Sequence, residues 1–192
     1  MNIRVKWFDW SVICASIMLL IFIVHQIAWS GDDLQIIGGF VGAEQVSFTS
    51  IWVAMTTQWL HINVIHLLIN ILALLYLNNE LRKFNTSGKT LLIYVTGMIA
   101  VGIALLLFAK EGTLYIGSSG AIAALLGAYV IYLLYHGAQR EKIVALEAML
   151  LFILLTFIIP GISVLMHLVG FLVGVILEVV YDFFLSKRSG KM

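Results

Sequence analysis

ISVLMHLVGFLVGVILEVV, residues 162–180, carries a single carboxylate in an otherwise uncharged run. About 20 such residues carry a helix across the ~30 Å hydrocarbon core of a bilayer. Three positions break its bulk. At 100° per residue, His167, Gly170 and Gly174 fall within about 60° of one another. The imidazole therefore faces whichever helix the glycines admit to close approach, as small-xxx-small interfaces do. Residues 117–135 offer a matching surface, in which Gly120, Ala124, Gly127 and Ala128 form a small-residue stripe beside Ser119.

Outward from that pair the chain reads as a membrane protein. Of its 192 residues 62% are hydrophobic and 11% charged, with a mean hydropathy of +1.07; a soluble domain carries about twice that share of charge. One proline leaves little room for irregular backbone in lipid. Six apolar blocks are bounded by charged or turn-forming residues: 10–28, 60–77, 90–108, 117–135, 143–159 and 162–180. The expected fold is all-α, a polytopic six-helix bundle forming one domain over residues 1–192. The long connection Ser30–Trp59 is amphipathic and is not expected to span. Cys14 is the one cysteine, so no intrachain disulfide is possible.

Charge sets the orientation. Arg4 and Lys6 precede the first block; Arg82, Lys83 and Lys89 follow the second; Arg140 and Lys142 follow the fourth; Lys187, Arg188 and Lys191 follow the sixth. Of the 11 basic residues, Lys110 falls on the other side, beside Asp32, Asp33, Glu44 and Glu111. The positive-inside rule then predicts both termini in the cytoplasm. Arg4, Lys6, an apolar run and Ala28-Trp29-Ser30 also fit a cleaved signal peptide, which would leave the rest oriented as before. No basic cluster with interleaved aromatics supports nucleic-acid binding.

Ionisable and polar groups are costly inside a membrane, so each is a functional candidate. In this orientation His61, His66, Asn70, Ser119 and His167 occupy the outer halves of spans two, four and six. Glu147, Glu178 and Asp182 fall near inner ends and read as interface-anchored charges; His25, alone in span one, reads as a packing residue. Gly117-Ser118-Ser119-Gly120 reads by itself as a helix cap, with Ser118 the better cap, or as a nucleophile turn, with Ser119 flanked by glycines. His167 against Ser119 adds what a weak hydroxyl nucleophile requires, a base within hydrogen-bond reach. His66 and Asn70 are about 40° apart and share one face, where both can donate to an oxyanion. His61 is about 140° from His66, a poor offset for a shared metal, and reads as structural, tying the first loop to span two. No metal or cofactor is called for.

With these motifs together the chain resembles the rhomboid family of intramembrane serine proteases. Its six-span core carries H-x4-H-x3-N in span two, G-x-S-G in span four and H-x2-G-x3-G in span six, matched here by His61, His66 and Asn70, by Gly117, Ser119 and Gly120, and by His167, Gly170 and Gly174. The resemblance implies a Ser119–His167 dyad without an aspartate. It also implies an oxyanion site from the Ser119 backbone N–H with His66 and Asn70, and close helix packing at Gly120, Gly127, Gly170 and Gly174. It further implies substrate entry past a mobile fifth helix and its adjoining loop, around Ile159–Val164 with Pro160 and Gly161. Glu80-Leu81-Arg82 also matches an acidic–basic pair of the family. Two departures stand out. Trp52-Val53 replaces a common Trp-Arg, and Ala123 replaces an aromatic that stacks on the base, which leaves His167 less braced.

The implied partners are the lipid bilayer and transmembrane protein substrates, cut in a polar cavity open to the extracytoplasmic side. The brevity of the chain suggests a bacterial cell membrane. The rivals are an inactive rhomboid-like protein that binds membrane clients, and a transporter, against which the lack of inverted internal symmetry counts.

Overall fold

The structure, a computed structural model, describes residues 9–28, 39–41, 47–158 and 162–188. Arg4, Lys6, Trp29, Ser30, Asp32, Asp33, Glu44, Lys191 and the loop residues Ile159, Pro160 and Gly161 lie outside the described residues. Helix α1 is Trp10–Ala28, α2 Phe48–Thr56, α3 Val64–Leu81, α4 Ser87–Phe108, α5 Ser119–His136, α6 Gln139–Ile158 and α7 Val164–Arg188. A two-residue strand β1 (Phe40–Val41) pairs antiparallel with β2 (Leu114–Tyr115), Phe40 opposite Tyr115. Five helices, α1, α3, α4, α5 and α7, are long and apolar enough to cross a membrane. Helix α6 has 20 residues but opens with Arg140, Glu141 and Lys142 and carries Glu147, so its uncharged run is shorter.

Local chemistry sets the helix starts. Ser47 and Ser50 cap α2 reciprocally, each side chain accepting from the other's backbone N–H. Helix α3 starts at Val64 because the Asn63 side chain accepts the His66 N–H at 2.8 Å. Thr86 does the same for Lys89 in α4, and Ser163 accepts from Met166 at the start of α7.

Helix α5 is the axis of the bundle. It is 61% buried, against 22–39% for the other four long apolar helices, and it touches α3, α4, α6 and α7. Its row of Gly120, Ala121, Ala124, Gly127 and Ala128 has no bulk to hold neighbours away. Helix α6 lies at the periphery, burying only Ala145 and Thr156.

At the end of the bundle away from Ser119, polar groups lock three helices, α1, α3 and α4. Asp9 accepts from the Ser11 backbone and hydroxyl (3.0 and 2.9 Å) and from Asn78 (2.8 Å), and it pairs with Arg82. Burial alone would raise its carboxyl, but the Ser11 hydrogen bonds and the Arg82 charge hold it below the ordinary carboxylate range. Thr90 donates to Asn78 at 2.9 Å and accepts from the Trp10 indole at 3.1 Å. Glu80 and Arg82 thus serve different partners, Glu80 taking Lys83 at 2.6 Å.

Glu178 corrects one expectation. It is 1% exposed rather than interfacial, and its Oε1 accepts from Lys89 Nζ at 2.6 Å while that ammonium lies 3.6 Å from the Tyr181 ring centroid. Asp182 instead pairs with His136 at 2.6 Å, and Glu147 is exposed. Removing one member of a buried pair leaves the other uncompensated. Lys89→Met or Glu178→Leu alone is expected to cost about 3–5 kcal/mol, and the double substitution to recover most of it. Thermal unfolding in detergent measures both.

Candidate active site

Three segments converge at the end of the bundle where α5 begins. The first is the turn leading into α5. Gly117 has φ +106°, a conformation that favours glycine, and a Cβ there would lie 2.7 Å from His66 Cε1 and 2.8 Å from Nε2. The His66 ring therefore sits directly on this turn. The Gly117 N–H donates to the Thr57 carbonyl at 3.2 Å, and the fully buried Thr57 hydroxyl donates to the Tyr115 carbonyl and accepts from Phe40 N–H at 3.0 Å. The turn is thereby pinned to the segment after α2 and to the small sheet.

Ser118 stands at the cap position of α5 but makes no capping hydrogen bond. Its hydroxyl donates to Asn70 Oδ1 at 3.2 Å and lies 3.5 Å from His61 Nε2. It anchors the turn to α3 instead. Ser119, half-buried, begins α5, and its hydroxyl makes no hydrogen bond among the described residues. Asn70 is buried, and its amide donates to the His66 carbonyl at 2.8 Å.

The third segment is α7. A Cβ at Gly170 would overlap the Gly120 carbonyl, one at Gly174 the Ala124 carbonyl, and one at Gly127 the Phe171 carbonyl. At Gly120 it would lie 3.0 Å from the Met166 carbonyl. Helices α5 and α7 thus meet backbone to backbone, with Ser119 and His167 each one residue from a contacting position. No hydrogen bond joins Ser119 to His167 among the described residues. The recorded polar partner of His167 is Thr156 of α6, whose hydroxyl oxygen lies 3.0 Å from Nδ1.

The imidazole is not left unbraced by Ala123. The Ala123 methyl lies 3.4 Å from where a Cβ on Gly170 would stand, so this residue faces α7. Phe152 of α6 stacks on His167 instead, with ring centroids 5.6 Å apart and planes 25° from parallel. At the other departure, Val53 packs against the apolar cluster of Phe40, Val101, Leu105, Tyr115 and Met166.

Sequence reasoning missed Thr57, Phe152 and Thr156. The signal for the last two was present: a lone hydroxyl four residues after an aromatic in an aliphatic run, hence on one helical face. Thr57 gave none, because its role depends on where the Gly117 turn lands.

His61 is 1% exposed, just ahead of α3, and its ring meets His66 edge-on at 5.0 Å between centroids. It ties the segment before α3 to the Ser118 turn.

Comparison with known proteins gives a consistent picture. The family model described as Rhomboid domain matches residues 49–182. RHOMBOID-like protein 4 of Arabidopsis thaliana is 26% identical over 152 residues, 77% of this chain and 38% of that protein. RHOMBOID-like protein 1 of the same plant is 30% identical over 149 residues, 73% of this chain and 38% of that protein. Rhomboid protease GluP of Bacillus subtilis (strain 168) is 31% identical over 130 residues, 66% of this chain and 24% of that protein. The chain spans well under half the length of each of these relatives.

Proposed function

The chain belongs to the rhomboid family, and from that premise we propose that it is an intramembrane serine endopeptidase, with Ser119 as nucleophile and His167 as general base. The observation that carries this is the backbone contact of α5 with α7 at Gly120, Met166 and Gly170, which sets the first turn of one helix against that of the other. The absence of a ready-made Ser119–His167 hydrogen bond fits a resting site, since such bonds often tighten only when substrate is bound. The similarity to Rhomboid protease GluP supports the same activity.

In the proposed reaction His167 takes the Ser119 proton, the hydroxyl oxygen attacks a peptide carbonyl, and the acyl-enzyme is hydrolysed by water. The Ser119 N–H, at the open end of α5, would donate to the oxyanion together with the His66 ring and Asn70. One Asn70 amide hydrogen already goes to the His66 carbonyl, so the second would serve. Each such donor is worth about 10²–10³ in turnover. The glycines at 117 and 120 let the His66 ring and α7 close directly on the turn that carries the nucleophile. The substrates would be transmembrane segments of other proteins, entered from the bilayer. By its charge distribution the chain would keep both termini in the cytoplasm and open its site to the extracytoplasmic side of the membrane.

The test is cleavage of a tagged single-span substrate in liposomes. The wild type is expected to cut it and Ser119→Ala to leave it intact. A cut that survives that substitution removes the proposed function; no cut by either protein favours a client-binding member of the family.

A further inference from the structure

Helix α6 turns only Ala145 and Thr156 fully inward, and Thr156, a hydroxyl at 2% exposure, faces an imidazole rather than aliphatic side chains. Its Oγ1 lies 3.0 Å from His167 Nδ1. One helical turn earlier, Phe152 lies against both His167 and Phe171 of α7, with centroid separations of 5.6 and 5.1 Å and interplanar angles of 25° and 17°. His167 and Phe171 are themselves four residues apart, so Phe152 is stacked on two rings of one α7 face. The α6 residues thus fix two things about the imidazole: its plane, through Phe152, and the bonding of one nitrogen, through Thr156.

We propose that Thr156 and Phe152 are positioning residues for the base: the Thr156 oxygen accepts Nδ1–H, which leaves Nε2 deprotonated and aimed at the α5 side, while Phe152 holds the ring plane. The physical case rests on the tautomer. A neutral imidazole carries its proton on one nitrogen, and the hydrogen bond made by that nitrogen selects which. A base that is to take a serine proton through Nε2 needs the proton on Nδ1, the task an acidic residue performs in three-member serine hydrolase sites. Among the described residues the Thr156 hydroxyl is what His167 Nδ1 meets, and a neutral oxygen can accept there without burying a further charge. Ala123 leaves the α5 side of the ring without an aromatic, and Phe152 supplies one from α6. The base is then assembled from two helices: α7 provides it and α6 orients it.

This inference deepens the protease function proposed above, and its test separates the two. In the full chain, Thr156→Val keeps size and removes the hydroxyl. It is expected to lower kcat roughly tenfold to a hundredfold with KM unchanged, and Thr156→Ser to restore most of the loss. Phe152→Leu is expected to lower kcat more mildly, with Phe152→Tyr close to wild type. The nitrogen-15 spectrum of histidine-labelled protein, with the His167 signals assigned by their loss in His167→Asn, is expected to show one tautomer protonated on Nδ1 in the wild type and a mixture in Thr156→Val. If Ser119-dependent cleavage is present and Thr156→Val leaves kcat and tautomer unchanged, the positioning role is overturned and the protease function stands. If no Ser119-dependent cleavage is found, the protease function falls. The spectrum then decides the brace: a tautomer shift in Thr156→Val supports it, and an unchanged spectrum overturns it.

Discussion

Ser119→Ala is expected to lower cleavage of a single-span substrate by about 10⁴-fold or more, His167→Ala to do the same, and the double substitution to be no worse than either alone. Groups that act as one unit show this non-additivity, because once the first is gone the second has no task. The neighbouring hydroxyl makes the internal comparison. Ser118 is buried on Asn70 and His61, so Ser118→Ala should act through Asn70, with a smaller loss and cleavage still dependent on Ser119. Initial rates in liposomes, normalised to folded protein, measure all four variants. Additive losses for Ser119→Ala and His167→Ala would separate the two residues in function.

The second large effect is expected at the helix contact. A Cβ at Gly170 would overlap the Gly120 carbonyl and one at Gly174 the Ala124 carbonyl. Both obstacles are backbone of α5, which cannot turn aside as a side chain can. Gly174→Leu and Gly170→Leu should therefore drive α7 from α5, costing at least 1–3 kcal/mol of stability as overpacking does. A displacement of about 1 Å at His167 is enough to lose some 10²-fold in turnover, so activity should fail even in the fraction that folds. Gly88 is the control, because a Cβ there meets nothing within 4 Å. Gly88→Ala is expected to leave melting temperature and rate unchanged or slightly raised, since alanine suits a helix better than glycine.

How much of this was legible in the sequence depends on the range of the interactions. The α5–α7 contact was legible because it is written twice, as Gly120, Ala124 and Gly127 in one helix and as Gly170 and Gly174 in the other, at spacings that only a helix turns into a stripe. That His66 belongs beside the turn before α5 came from the family resemblance rather than from spacing. What failed had its partner far away in the chain. Glu178 looked like a charge at a membrane interface, yet Lys89 reaches it across the bundle and both are buried. Ser118 had every local mark of a helix cap, but Asn70 of α3 competes for its hydroxyl and wins. The brace on His167 was sought four residues after Ser119, on α5. It comes from Phe152 on α6, a helix whose rotation no local pattern fixes, because its apolar residues continue all round it. Local spacing therefore gave the two helices that meet and missed the groups that neighbouring helices deliver to them.

The most direct measurement is the location of a fluorophosphonate adduct, read by peptide mass spectrometry on the protein in detergent. The account predicts one adduct, on Ser119, that forms in the wild type and is lost in His167→Asn. An adduct on Ser118, or one on Ser119 that forms at an undiminished rate without His167, would contradict it.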